Sequence, residues 1–110
     1  MAMWANERAR NEAIRRMLGD RTLKRFWTDR GPTQEAMALL EAGGGYLSSV
    51  ERVMLRTAFD LWNGSGKCLV SDLLDTLDEE RLQAVAEAIL ARDAGGERVE
   101  GPWFLPAGRT

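Results

Sequence analysis

"LSSVERVMLRTAFDLWNG", Leu47 to Gly64, is the stretch that decides the fold. Ser48 and Glu51 hold the Ser-x-x-Glu spacing of a capping box, in which each side chain satisfies an amide that the first helical turn leaves open. Behind it Val50, Val53, Met54, Ala58, Leu61 and Trp62 recur at the three–four spacing of one helical face. Gly64 suits the left-handed residue that closes a helix. The stretch predicts an amphipathic helix with one apolar side, and a core built around it.

Upstream, the same signals repeat. Ala5, Ala9, Ala13 and Met17 recur at spacing four, with Ile14 and Leu18 beside them, so a helix is predicted over about 3–18. Gly19 fits its C-cap and Asp20 the N-cap of the next helix. "DRTLKRFWTDR" (20–30) reads as that short second helix, with Leu23, Phe26 and Trp27 on one side. In "GPTQEAMALLEAGGG" (31–45) Gly31 is placed at the N-cap, Pro32 at the first helical position and Gln34 as the capping-box partner. That helix offers Ala36, Met37, Leu39 and Leu40 to a core and stops at Gly43, and the three glycines make a turn.

Downstream, "KCLV" (67–70) is predicted to cross the core in extended form. Ser71 is placed as the cap of a short helix, and Asp78 as the cap of another, with Glu79 and Glu80 near its positive end. In that last helix Leu82, Val85, Ala86, Ile89 and Leu90 are read as one face. The tail is different. Pro102 and Pro106 flank Trp103, Phe104 and Leu105, so regular helix is forbidden while large apolar groups remain to be buried. Two readings stand: a strap over the helical core, or a short motif for a partner's groove. The expected fold is all-α, a compact bundle of five or six short helices with an ordered aromatic, proline-flanked C-terminal strap. Residues 1–96 form one helical domain and 97–110 its tail. The length suits a single domain.

Charge is uneven. Residues 1–30 carry eight basic and four acidic side chains, a net +4, while the whole chain carries −2, so the remainder is −6. The basic end either lies on the acidic helices or offers a docking surface. Arginine far outnumbers lysine, and alanine, glycine and leucine abound, which points to GC-rich coding DNA and a bacterial or phage source. One cysteine, Cys68, permits no internal disulfide, and the first nineteen residues hold no continuous apolar stretch. A cytoplasmic protein with no membrane span is expected.

The motif most suggestive of chemistry is "WNGSGKC", Trp62 to Cys68. A phosphate loop needs glycine where Leu61 stands and a hydroxyl where Cys68 stands, and it runs from strand to helix. A calcium loop needs several carboxylates and a bidentate glutamate. Here Leu61 falls at the first ligand position and Asp72 at the last. The stretch reads as a helix stop. Zinc is all but excluded by one cysteine and no histidine. Asp72, Asp75 and Glu79, with Asp78 and Glu80 adjacent, are a candidate magnesium cluster, though such runs are commonly solvated helix faces. No nucleophile, base and oxyanion group can be named together, so no enzyme, cofactor or metal is expected.

Four tryptophans are many for this length, and tryptophan and arginine favour interface hot spots. The expected function is a non-enzymatic protein-binding module that occupies a surface on a larger bacterial or phage protein or complex. It would serve as adaptor, assembly factor or inhibitor, for example a phage inhibitor of a host defence complex. The partner-binding residues expected are Trp4, Arg15, Arg16, Trp27 and Trp103. The alternative is a nucleic-acid-binding regulator using the basic N-terminal helices, or a helix-turn-helix whose second helix presents Ser49, Arg52 and Arg56.

Overall fold

The structure, a computed structural model, describes residues 7–19 and 21–95. The described chain is mostly helical. It runs α1 (Glu7–Leu18), α2 (Arg21–Lys24), β1 (Trp27–Thr28), β2 (Gly31–Pro32), α3 (Gln34–Glu41), α4 (Ser49–Asn63), α5 (Val70–Thr76) and α6 (Glu79–Gly95). The expected mainly helical class holds, with a small sheet added. The aromatic tail, Trp4 and the Asp20 cap lie outside the described residues.

Helix α4 begins and ends where its sequence says. The Ser48 hydroxyl accepts from the Glu51 amide at 3.2 Å, and the Glu51 carboxylate accepts from the Ser48 amide at 2.9 Å. Gly64 closes it at φ 80°. Its burial is wider than one face. Val53, Met54, Leu55, Thr57, Ala58 and Phe59 are all buried, so α4 is the central helix and neighbours cover more than one side of it. Leu55 and Phe59 lie off the predicted stripe, and Val50, Leu61 and Trp62 on it are only half-buried.

The first correction is at Phe26–Thr33. The predicted second helix lasts one turn, Arg21–Lys24, and gives way to a two-residue hairpin in which Trp27 pairs with Pro32 and Thr28 with Gly31. The turn is fixed locally, because the Thr28 hydroxyl donates to the Gly31 carbonyl at 3.0 Å and accepts from the Arg30 amide at 3.1 Å. Pro32 is therefore in a strand and not at a helix start. Thr33 is the cap of α3, its hydroxyl accepting from the Ala36 amide at 3.2 Å.

The hairpin drives Trp27 into the core. Its ring meets Phe59 edge-on at 5.1 Å and Trp62 at 5.9 Å, the edge-to-face arrangement that aromatic quadrupoles favour. Its indole N–H donates to Asn11 Oδ1 at 3.0 Å, and Asn11 Nδ2 donates to the Asp29 carbonyl at 3.0 Å. One buried asparagine thus satisfies a buried indole and ties the hairpin to α1. Arg10, also on α1, donates to the Trp62 carbonyl at 3.0 Å, placing a cation at the negative end of α4.

Helix α1 lies most extensively along α6. Ala13 and Met17 face Ala84, Ala88 and Ala91, small residues that allow a close approach. The inward face of α6 therefore carries Val85 and Ala88, with Leu82 half-buried. Ala86, Ile89 and Leu90 point outward, away from the predicted face. The Asp78 cap is as expected, its Oδ1 accepting from the Arg81 amide at 2.9 Å.

Candidate functional site

Among the described residues a cleft of about 400 Å³ lies between the end of α3, the glycine turn, α4 and the loop after it. Its apolar floor is Leu39, Leu40, Leu47 and Leu55, and its cations are Arg52, Arg56 and Lys67. No carboxylate lines it among the described residues.

The glycine turn forms one wall, and its backbone takes a conformation that favours glycine. Gly43, Gly44 and Gly45 all have positive φ, at 74°, 106° and 51°. A Cβ on Gly44 would lie 2.5 Å from the stem of Arg52. The arginine therefore lies across the turn, with Nη2 donating to the Gly45 carbonyl at 3.3 Å.

The opposite wall is the loop of "WNGSGKC", held down by side chains of α4. Arg56 Nε donates to the Gly66 carbonyl at 3.1 Å, and its Nη2 donates to the Lys67 carbonyl. Asp60 takes the Lys67 and Cys68 amides, each at 2.8 Å. Asp72 accepts from the Leu69 amide at 3.1 Å and lies 3.8 Å from Arg56. Gly66 sits so close to α4 that a Cβ would be 1.8 Å from the Arg56 carbonyl oxygen. Its role is close approach and not positive φ, which falls instead on Lys67 at 54°.

This geometry closes the phosphate-loop reading on its own terms. The amides a phosphate would need at Lys67 and Cys68 already bind the Asp60 carboxylate. It also corrects the expected path of the chain after the loop. Cys68 turns inward, its sulfur 3.6 Å from the Thr57 hydroxyl, but Leu69 and Val70 are 65% and 69% exposed. The cap of α5 is at Leu69, with Asp72 as its reaching carboxylate, rather than at Ser71. Of the acidic run, Asp72 and Asp78 are thus occupied with backbone amides, and no group of three or more candidate ligands among the described residues is placed to hold a metal.

Of the five residues expected to meet a partner, Arg15, Arg16 and Trp27 are described, and they differ in exposure. Trp27 is 1% exposed and its ring is enclosed by α1 and α4, so it cannot be presented to a partner in this conformation. Arg16 is exposed beside the α1–α6 seam, near Glu80 and Glu87, and Arg15 is half-buried. Trp4 and Trp103 lie outside the described residues. Several cations of the basic run are engaged internally: Arg8 lies 4.0 Å from Asp29, Arg10 3.6 Å from Glu7, and Arg25 3.5 Å from Glu35.

Sequence reasoning missed the apolar side chains on the surface. Val70 and Leu74 stand one helical turn apart on α5 and are both exposed, with Leu69 just before them. Ile89 and Leu90 are exposed in the same way on α6. The sequence held no signal for this on α5, because Val70, Leu73 and Leu74 have the spacing of one ordinary buried stripe. No described helix is long and apolar enough to cross a membrane. Compared with family models, curated proteins and solved structures, the chain matches none.

Proposed function

We propose that this protein is a non-enzymatic protein-binding module, and that α5 and the outer edge of α6 carry the contact. The observation that carries the reading is the exposure of Leu69, Val70, Leu74 and Leu90, each at 64% or more, at the cap of α5, along α5 and on α6, with no residue of α5 fully buried. Single exposed leucines need no explanation, but repeated ones on short helices favour burial against another surface. In the finer picture the helices form a compact bundle and the 97–110 tail, with Trp103 and Phe104, either straps that bundle or joins the same interface. Arg16 lies beside the α1–α6 seam and is kept as a further candidate contact. An adaptor, assembly factor or inhibitor of a larger bacterial or phage complex fits this mode of action.

The nucleic-acid alternative has less behind it. Arg56 holds the loop and pairs with Asp72, and Arg8, Arg10 and Arg25 pair with carboxylates, so fewer cations remain for phosphate. A tagged pull-down from the native host, read by mass spectrometry, separates the two. The protein-binding reading expects a stoichiometric partner that Val70→Glu/Leu74→Glu fails to capture. A salt-sensitive gel shift lost in Arg15→Glu/Arg16→Glu, with no protein retained, would overturn it.

A further inference from the structure

We infer that the cleft between the glycine turn and the α4–α5 loop is a binding site for a small organic acid: one anionic group joined to an apolar body. This goes beyond the protein-binding reading and uses different residues.

The lining sets the chemistry. Leu39, Leu47 and Leu55 are already buried and Leu40 is half-buried, so an occupant gains roughly 25 cal/mol for each Å² of the limited apolar surface still open to water. A fully apolar occupant would leave the rim unused, because Arg52, Arg56 and Lys67 meet there with no carboxylate among the described lining residues. Asp72 lies 3.8 Å from Arg56 and the Asp60 carboxylate is engaged by the Lys67 and Cys68 amides behind the loop, so the three cations outnumber the two nearby carboxylates. A guanidinium has five N–H donors, and the Gly45 carbonyl takes one from Arg52. The Lys67 backbone is fixed from both sides, by Asp60 on its amide and Arg56 on its carbonyl, so its side chain springs from a defined point on the rim. Cations held over low-dielectric walls concentrate an anion more than the same charges in open water. The cleft, at about 400 Å³, lies in the lower part of the range for small-molecule sites, which favours a compact acid over an extended chain.

The walls are also built to stay. Gly44 lets the Arg52 stem lie flat, and Gly66 lets the loop press on the α4 backbone, where a Cβ would meet the Arg56 carbonyl.

The test is an amide-resolved NMR titration of the full chain with octanoate, matched against octylammonium as the same apolar body with opposite charge. Octanoate should give saturable shifts at Gly43, Gly44 and Gly66, with octylammonium about tenfold weaker or more. Higher salt should weaken octanoate. Lys67→Asn is the cleanest variant, since asparagine tolerates the positive φ at 67, and it should weaken octanoate about three- to tenfold, as should Arg52→Gln. Equal affinity for the two probes, shifts that never saturate, or unchanged affinity in both variants would each overturn the assignment. If octanoate fails and acetyl-Leu-Glu-Leu-amide shifts the same amides, the occupant is a partner's acidic segment and the small-acid proposal falls.

Discussion

Helices α4 and α6 are similar in length, but the apolar residues of α4 are gathered on one side far more sharply than those of α6, and the two live in different surroundings. Helix α4 is enclosed by the hairpin, α1, α3 and the loop, and buries six residues spread around much of its circumference. Helix α6 rests chiefly on α1 and leaves Ile89 and Leu90 in water. Apolar content therefore fixes neither a helix's orientation nor the width of its buried face. The neighbours packed against each helix differ instead. Ala84, Ala88 and Ala91 line the seam with α1, Val85 is buried and Leu82 half-buried, and Ile89 and Leu90 are left outside.

The contrast between the two helices should be steepest in the core. Phe59→Ala should cost about 3–5 kcal/mol in urea unfolding, since it removes a ring that contacts Trp27 and Trp62. Leu90→Ala, its counterpart on α6, should stay within about 0.5 kcal/mol, the range for exposed positions. A large loss at Leu90 would mean that α6 is covered after all. Gly66→Ala should destabilise by about 1–3 kcal/mol, because the Arg56 carbonyl occupies the space and the loop must lift from α4. Asn11→Leu should cost about 1–3 kcal/mol by leaving the buried Trp27 indole without an acceptor. The near-UV circular dichroism of the tryptophans checks whether the hairpin then shifts. Ser48→Ala, at the entry to α4, should cost about 1 kcal/mol in the same unfolding assay by removing half of the capping box.

The legible parts of the chain were those decided within a few residues. The Ser48–Glu51 box, the Gly64 stop and the Asp78 cap depend only on neighbours, and the structure has them as written. The hairpin was not legible, because strands of two residues have no period and Thr28 sets the turn through bonds that composition does not announce. The exposure of Leu69 and Val70 was equally hidden. Asp60, eight residues before Cys68, takes the loop amides and decides which way the chain faces. Arg52 and Arg56 were visible as candidates on one helix, and Lys67 as the lysine of a false phosphate loop. That they share one cleft depends on the glycine turn after α3, which no local spacing connects to them.

If the apolar residues exposed on α5 and α6 serve a partner and not the fold, binding and stability must separate when they are replaced. The most direct measurement is Val70→Glu/Leu74→Glu, followed in parallel by thermal melting and by capture of the partner that the unaltered protein retains. The expected result is a midpoint within a few degrees of the unaltered protein, as for exposed substitutions, together with loss of capture. Capture that persists with the midpoint unchanged, or a collapse of the midpoint, would contradict it.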